Sequence, residues 1–135
     1  MRILIADDYE VIRRGVIRVL QSRDDVEEYA EATNGTETVE KAFEWKPDLI
    51  LLDIRLPVLS GFDVARIVKQ HYPDIPILFC SIYDTPEMLQ EARLIGDGFI
   101  LKEKMVEMFP NAIEAIAHIK QFFPADSETE PGAVI

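Results

Sequence analysis

The chain has 135 residues, 48% of them hydrophobic, which supports one domain with a real core, leaves no room for two and excludes a disordered chain. Its formal net charge of −11 and pI of about 4.5 describe a surface that repels phosphate backbones, so this chain alone is not expected to bind nucleic acid, while a divalent cation or a basic surface would suit it. One cysteine (Cys80), no apolar stretch of membrane-spanning length and no signal-peptide pattern exclude an internal disulfide and a cysteine zinc cluster, and set the expectation of a soluble cytoplasmic protein with no membrane partner.

Met1 to Ala6 reads as a first strand ending at Asp7-Asp8. The helix after it places Ile12, Val16, Val19 and Leu20 on one face, with Arg13, Arg14 and Arg18 largely elsewhere. Val26 to Ala32 is a weaker strand, mixed with acids and suited to a place nearer the sheet edge. Asn34 then caps a helix whose buried face is Val39, Ala42 and Phe43, closed by Pro47. Asp48-Leu49-Ile50-Leu51-Leu52-Asp53 holds four consecutive apolar residues, as in a parallel strand buried on both faces. A loop from Ile54 to Ser60 leads to a helix capped by Ser60 and lined by Val64, Ile67 and Val68.

Ile75 to Ser81 is a fourth strand. Thr85, Pro86 and Glu87 open a helix with Met88, Leu89, Ala92 and Ile95 inward. Phe99 to Leu101 is a short fifth strand that delivers Lys102. Pro110 is expected to open the last helix, with Ile113, Ile116, Ala117 and the stem of Lys120 on one face. From Pro124 the composition turns to Pro, Asp, Ser, Glu, Thr and Gly. Residues 1–123 therefore read as the domain and 124–135 as a disordered acidic tail or linker. Alternating strands and helices imply parallel βαβ units with right-handed crossovers: an α/β, doubly wound sheet of five parallel strands with five helices in three layers.

In such a sheet the strand ends Asp7-Asp8, Asp53, Ser81 and Lys102 project at one edge, the edge where open α/β sheets bind ligands. Clustered carboxylates raise one another's pKa unless a cation neutralises them. A hard, oxygen-lined site with few protein ligands suits Mg2+. A carboxylate can attack phosphorus to give an aspartyl phosphate, and phosphoryl transfer needs positioning and charge neutralisation more than acid–base catalysis.

At these residues the chain resembles the receiver domain of bacterial two-component response regulators. The resemblance spans roughly residues 1–123 and rests on Ile5-Ala6-Asp7-Asp8, Leu51-Leu52-Asp53 with Pro57 and Gly61, Cys80-Ser81, and Gly98-Phe99-Ile100-Leu101-Lys102, all in order. Ser81-Ile82-Tyr83-Asp84 and Arg13-Arg14-Gly15 look most like the subgroup that usually carries a C-terminal LuxR-type helix-turn-helix.

The resemblance implies a flavodoxin-like, CheY-like fold and specific roles. Asp53 would accept a phosphoryl group from a sensor histidine kinase. Asp8 and Asp53 would bind Mg2+, with Asp7 acting through water and the Arg55 backbone carbonyl as a further ligand. Lys102 would pair with the phosphoryl group. Ser81 would move to bond it, and Phe99 would swing inward, altering the face of the fourth helix and fifth strand, a two-state element biased by a local charge change. The output would be transcription regulation if a DNA-binding domain belongs to a longer protein.

Some residues depart from the family's pattern. Glu103 stands where proline usually follows the lysine, and could compete for Lys102. Phe99 lacks a tyrosine's hydroxyl, Arg55 is a bulky cation, and Ile82 narrows access to the site that Tyr83 also borders. Glu103 and Ile82 motivate a second reading, a phosphorylation-independent pseudo-receiver. A third, a phosphatase of small molecules, wants a second acid where Arg55 stands. A dinucleotide protein lacks its Gly-x-Gly-x-x-Gly after the first strand. The chain is thus expected to be a signalling domain rather than an enzyme. Exposed apolar residues on the first and last helices would permit a phosphorylation-dependent homodimer. Asp7 and Asp8 read alone would be helix caps, Cys80 a small buried residue, Lys104 a solvated lysine, and His71 and His118 surface residues without partners.

Overall fold

Four of the five strands carry unbroken apolar runs that must be covered on both faces, and the molecule covers them with helices on each side. The computed structural model describes residues 1–124. In chain order they form β1 (Arg2–Ala6), α1 (Glu10–Gln21), β2 (Glu28–Ala32), α2 (Gly35–Trp45), β3 (Leu49–Asp53), α3 (Gly61–His71), β4 (Ile77–Ser81), α4 (Pro86–Ile95), β5 (Gly98–Leu101), a 3-10 turn (Lys102–Lys104) and α5 (Met105–Ile119).

The sheet is parallel throughout, in the order β2-β1-β3-β4-β5. Right-handed crossovers then decide which face each helix takes. The step from β1 to β2 runs one way across the sheet and every later step runs the other way, so α1 lies opposite α2, α3 and α4. The chain returns to the α1 face with α5. Side-chain alternation along the strands builds a core on each face. Leu4, Ala6, Ile50, Leu52, Phe79 and Phe99 meet Ala42, Val64, Val68 and Ala92. Ile3, Ile5, Leu51, Leu78 and Ile100 meet Val16, Ile17, Leu20, Phe109 and Ile113. The acid-rich β2 lies at the edge, as its sequence requires.

The three polar helix starts read from the sequence are caps. Asn34 Oδ1 accepts from the Glu37 amide at 2.8 Å, Ser60 Oγ from the Asp63 amide at 3.2 Å, and Thr85 Oγ1 from the Met88 amide at 3.2 Å. Glu37 also accepts from the amide of Thr33, the residue before the cap, at 2.7 Å, which ties the helix start to the chain leaving β2.

Several expectations are corrected. The last helix begins at Met105, not at Pro110, which lies within it. Met105 and Phe109, one turn apart, are both buried in the second core, and their burial offsets the amide donor the proline lacks. Ala117 and Lys120 are exposed; the buried stripe is Met105, Phe109, Ala112, Ile113 and Ile116. In α1 the inward face includes Ile17, while Ile12 and Val19 are half-buried. β4 starts after Pro76, not at Ile75. His71 has partners: its Nδ1 lies 3.1 Å from the Ile67 carbonyl oxygen and its ring packs on Phe43. Pro124, assigned to the tail, is held by a 3.0 Å bond from Arg93 to its carbonyl. The remainder of the tail lies outside the described residues.

Candidate phosphoryl-transfer site

The topological switch point falls between β1 and β3, whose outer neighbours are β2 and β4, and the crevice at their carboxyl ends is where this fold binds ligands. Asp7 follows β1, Asp53 ends β3, Ser81 ends β4 and Lys102 follows β5. The sheet register sets Asp53 beside Cys80 and Ser81 beside Leu101, which brings Lys102 to the neighbouring strand ends.

Lys102 Nζ lies 2.9 Å from Asp53 Oδ2 and 3.0 Å from Asp7 Oδ2. All three groups are buried, with Asp7 and Asp53 each 2% exposed and Lys102 8%. Burial holds the Asp7 carboxyl above its ordinary value; the Tyr9 amide and Lys102 pull the other way, and the Asp53 charge adds to the rise. Burial alone would lower the Lys102 value, but its hydrogen bond to Asp53 and its close ion pair with Asp7 outweigh it and the ammonium titrates above the ordinary lysine range. Two carboxylates thus share one proton-retaining cation.

A shared turn repeats at three strand ends. Asp7 Oδ1 accepts from the Tyr9 amide at 2.8 Å, Asp53 Oδ1 from the Arg55 amide at 3.0 Å, and Ser81 Oγ from the Tyr83 amide at 3.0 Å. Each side chain is oriented by the backbone two residues on, a local preference of Asp and Ser. The residues so engaged form a rim. The Tyr9 ring centroid is 5.0 Å from Lys102 Nζ, and the Arg55 guanidinium is 5.2 Å from the Tyr83 ring centroid.

Other bonds brace the floor. Arg13 donates to the Asp7 carbonyl at 2.8 Å and pairs with Glu31 at 2.7 Å. The Gly61 amide donates to the Ile54 carbonyl, and a Cβ on Gly61 would collide with the Asp53 carbonyl oxygen. That close approach explains the glycine. The Leu59 amide bonds the Pro57 carbonyl across Val58, whose φ of 75° is a strained conformation for a β-branched residue.

Of the residues singled out from sequence, Asp7, Asp53 and Lys102 are in direct contact. Ser81 is buried at the adjoining strand end. Asp8 is exposed beside them and Glu103 is exposed, so the expected competition of Glu103 for Lys102 is not what forms: two buried carboxylates hold the ammonium instead. The aspartates do not cap α1, whose N-cap is Tyr9. Phe99 is 1% exposed and packed in the first core, so an inward swing from solvent is not available to it from this conformation. With no hydroxyl to hold at the surface, its ring is stabilised by burial. Tyr9 escaped the sequence reading; its only signal was its place two residues after Asp7. The Lys102–Glu103 peptide is trans, like every other among the described residues.

The donor chemistry fits a hard divalent cation. Oxygens of Asp7 and Asp53 and the Cys80 sulfur lie within 4.8 Å of one another. Asp7 Oδ2 is buried and takes no well-aligned hydrogen bond, although Lys102 is 3.0 Å away. The sulfur is unsuited: burial foremost, then the charges of Asp53 and Asp7, push the Cys80 thiol up and keep it protonated. Oxygens of Asp7 and Asp53, with Asp8 adjoining, would hold Mg2+.

The family model for the response regulator receiver domain matches residues 3–114. The transcriptional regulatory protein LnrK of Bacillus subtilis is 31% identical over 117 residues, covering 86% of this chain and 53% of that protein. The oxygen regulatory protein NreC of Staphylococcus epidermidis is 33% identical over 118 residues, 86% of this chain and 54% of that one. The chain therefore spans about half the length of the curated relatives it matches. Among solved structures, a LuxR-family two-component response regulator from Aurantimonas sp. SI85-9A1 superposes with a TM-score of 0.86 at 25% identity, covering 96% of this chain and 93% of that one. Sequence, sheet order and strand-end chemistry agree, and the chain belongs to the receiver domain family of two-component response regulators.

Proposed function

We propose that Asp53 is the phosphoacceptor of this receiver domain. Receiver domains are signalling domains that partner with histidine kinases and generally bind Mg2+ at an acidic pocket. The observation that carries the assignment is the Lys102 ammonium, buried and shared between Asp53 and Asp7 at 2.9 and 3.0 Å. An Asp53 carboxylate oxygen attacks the phosphorus of a phosphohistidine. The P–O bond forms as the P–N bond breaks, and the imidazole leaves and takes up a proton. Lys102 balances the charge that accumulates on the phosphoryl oxygens. Bound Mg2+ would supply further neutralisation of the same charge, held by Asp7, Asp53 and Asp8, with the Arg55 carbonyl as a further ligand. Ser81 Oγ would bond a phosphoryl oxygen, and Phe99 would repack within the core.

The wider reading covers a cytoplasmic regulator whose output, by likeness to its relatives, is transcription control through a separate DNA-binding part. The net charge of −11 disfavours DNA binding by this chain alone. No helix among the described residues is long and apolar enough to cross a membrane. The exposed Val11 on α1 and Val106 on α5 flank a cavity of about 520 Å³ and would support a phosphorylation-dependent homodimer.

Reductive trapping tests the acceptor. Borohydride applied to the phosphorylated chain converts an acyl phosphate to an alcohol, and the new homoserine is expected at position 53. Its appearance at Asp7 or Asp8 instead would refute the assignment.

A further inference from the structure

Arg13 stands in the first turn of α1, where an arginine would ordinarily extend into solvent. This one folds back, and its side chain is only 14% exposed. Nη1 donates to the Asp7 carbonyl oxygen at 2.8 Å, and Nε donates to Glu31 Oε1 at 2.7 Å. The Arg13 amide donates to the Tyr9 carbonyl at 3.2 Å, the first bond of the helix. One residue thus holds the carbonyls of both neighbours of Asp8.

The far end of the bridge is fixed as well. Glu31 lies in β2, in register with Ile5 of β1. Lys41 of α2 donates to the Glu31 carbonyl and pairs with Glu37 at 3.3 Å. The Asp7 amide donates to the Ala32 carbonyl at 3.1 Å. The peptide units of Asp7 are therefore held by the β2 backbone on one side and by the guanidinium, anchored on β2, on the other.

These bonds decide where two acids point. Asp7 Oδ1 is committed to the Tyr9 amide, and the buried Oδ2 faces Lys102 without a well-aligned hydrogen bond. The exposed Asp8 side chain has no partner of its own among the described residues, so its backbone alone sets its place. The charge of Arg13 works against a cation, and Glu31 offsets that charge. What Arg13 offers a cation is therefore geometry, and the two contributions have opposite signs.

We propose that Arg13, anchored by Glu31, is a positioning residue for the divalent cation: it holds the Asp7–Tyr9 turn so that the Asp7 and Asp8 carboxylates meet one ion. The role rests on the Mg2+ site described above.

Titration of the full chain with Mg2+ tests it, followed by the amide resonances of Tyr9 and Arg55, with urea unfolding of each variant in the absence of Mg2+ as the measure of the fold. Removing a nearby positive charge would by itself tighten cation binding. Arg13→Gln should instead weaken it about tenfold, the lower end of what losing the partner behind a metal ligand costs. Arg13→Lys keeps the charge but not the fork that reaches Asp7 and Glu31 together, and should weaken it too. Glu31→Gln and Glu31→Ala lose the same charge, and only the first still accepts from Nε, so the alanine variant should bind Mg2+ more weakly than the glutamine variant. In phosphorylation by a small phosphodonor, the half-saturating Mg2+ concentration of Arg13→Gln should rise by the same factor while the rate at saturating Mg2+ stays unchanged.

If the wild-type resonances do not respond to Mg2+, the cation site falls and the role of Arg13 with it. If they respond while Arg13→Gln binds Mg2+ as tightly as the wild type or more tightly, the cation site stands and Arg13 only ties α1 to β2.

Discussion

Lys102 Nζ sits 2.9 Å from Asp53 Oδ2 while remaining 3.0 Å from Asp7 Oδ2, so one buried cation serves two buried acids. The arrangement makes Lys102 a structural element before any phosphoryl group arrives. Breaking a buried ion pair by removing one partner costs about 3–5 kcal/mol. Lys102→Met should lose about that much stability at neutral pH in urea unfolding. The folded Asp7 value lies above the unfolded one, so the folded chain binds more protons across that interval and acid relieves the carboxylate repulsion. The deficit of the variant should shrink as pH falls toward 5. In the wild type, the Lys102 contribution is fully present below the ordinary value of 10.5 and is lost as pH rises through the raised folded value. A deficit independent of pH would contradict this electrostatic account.

Mg2+ should stabilise the folded chain by mass action, by about 2.7 kcal/mol at a hundredfold excess over its Kd. Asp7→Asn removes one charged oxygen donor and should weaken that binding roughly tenfold. Thermal melts against Mg2+ concentration measure both, and an unchanged Mg2+ response in Asp7→Asn would remove Asp7 from the donor set.

Arg55 and Tyr83 are each anchored by their own amide to a site residue and stack on one another across the ends of β3 and β4. An exposed stack of this kind is worth enough to change a rate about two- to fivefold. Arg55→Ala and Tyr83→Ala should each shorten the lifetime of the acyl phosphate by that factor, by opening the rim to water. The double variant should lose no more than either single one. Additive losses would show two independent effects rather than a shared stack.

Gly15 lies inside α1, and an added Cβ would stand 3.4 Å from Val106 Cγ2, an ordinary contact. Gly15→Ala should raise stability by about 0.5–1 kcal/mol through helix propensity, read as an increased urea midpoint with an unchanged slope. A loss would show that α1 and α5 are already in closest contact there.

The element order and the strand-end chemistry were legible because the signals were local. Four apolar residues between Asp48 and Asp53, caps at Asn34, Ser60 and Thr85, and an aspartate at a strand end each announce themselves within a few residues. What was hidden depends on distant partners. Pro110 looks like a helix start until Met105 and Phe109 are seen packed beneath the sheet. Phe122 and Phe123 carry no periodic signal, because their partners, Asp97 and Phe99 along the chain path and the cores on either face, are defined only by the fold. The Tyr9 ring beside Lys102 is a contact across 93 positions of sequence and has no local signature.

The central claim is that Asp53 is the phosphoacceptor, and the most direct measurement is the intact mass of the chain after incubation with a small phosphodonor and Mg2+. The wild type should gain one phosphoryl group, and it should gain none when Mg2+ is chelated before the donor is added; Asp53→Asn should gain none in either case. An adduct that persists in Asp53→Asn, or no adduct in a wild type shown to bind Mg2+, would contradict the account.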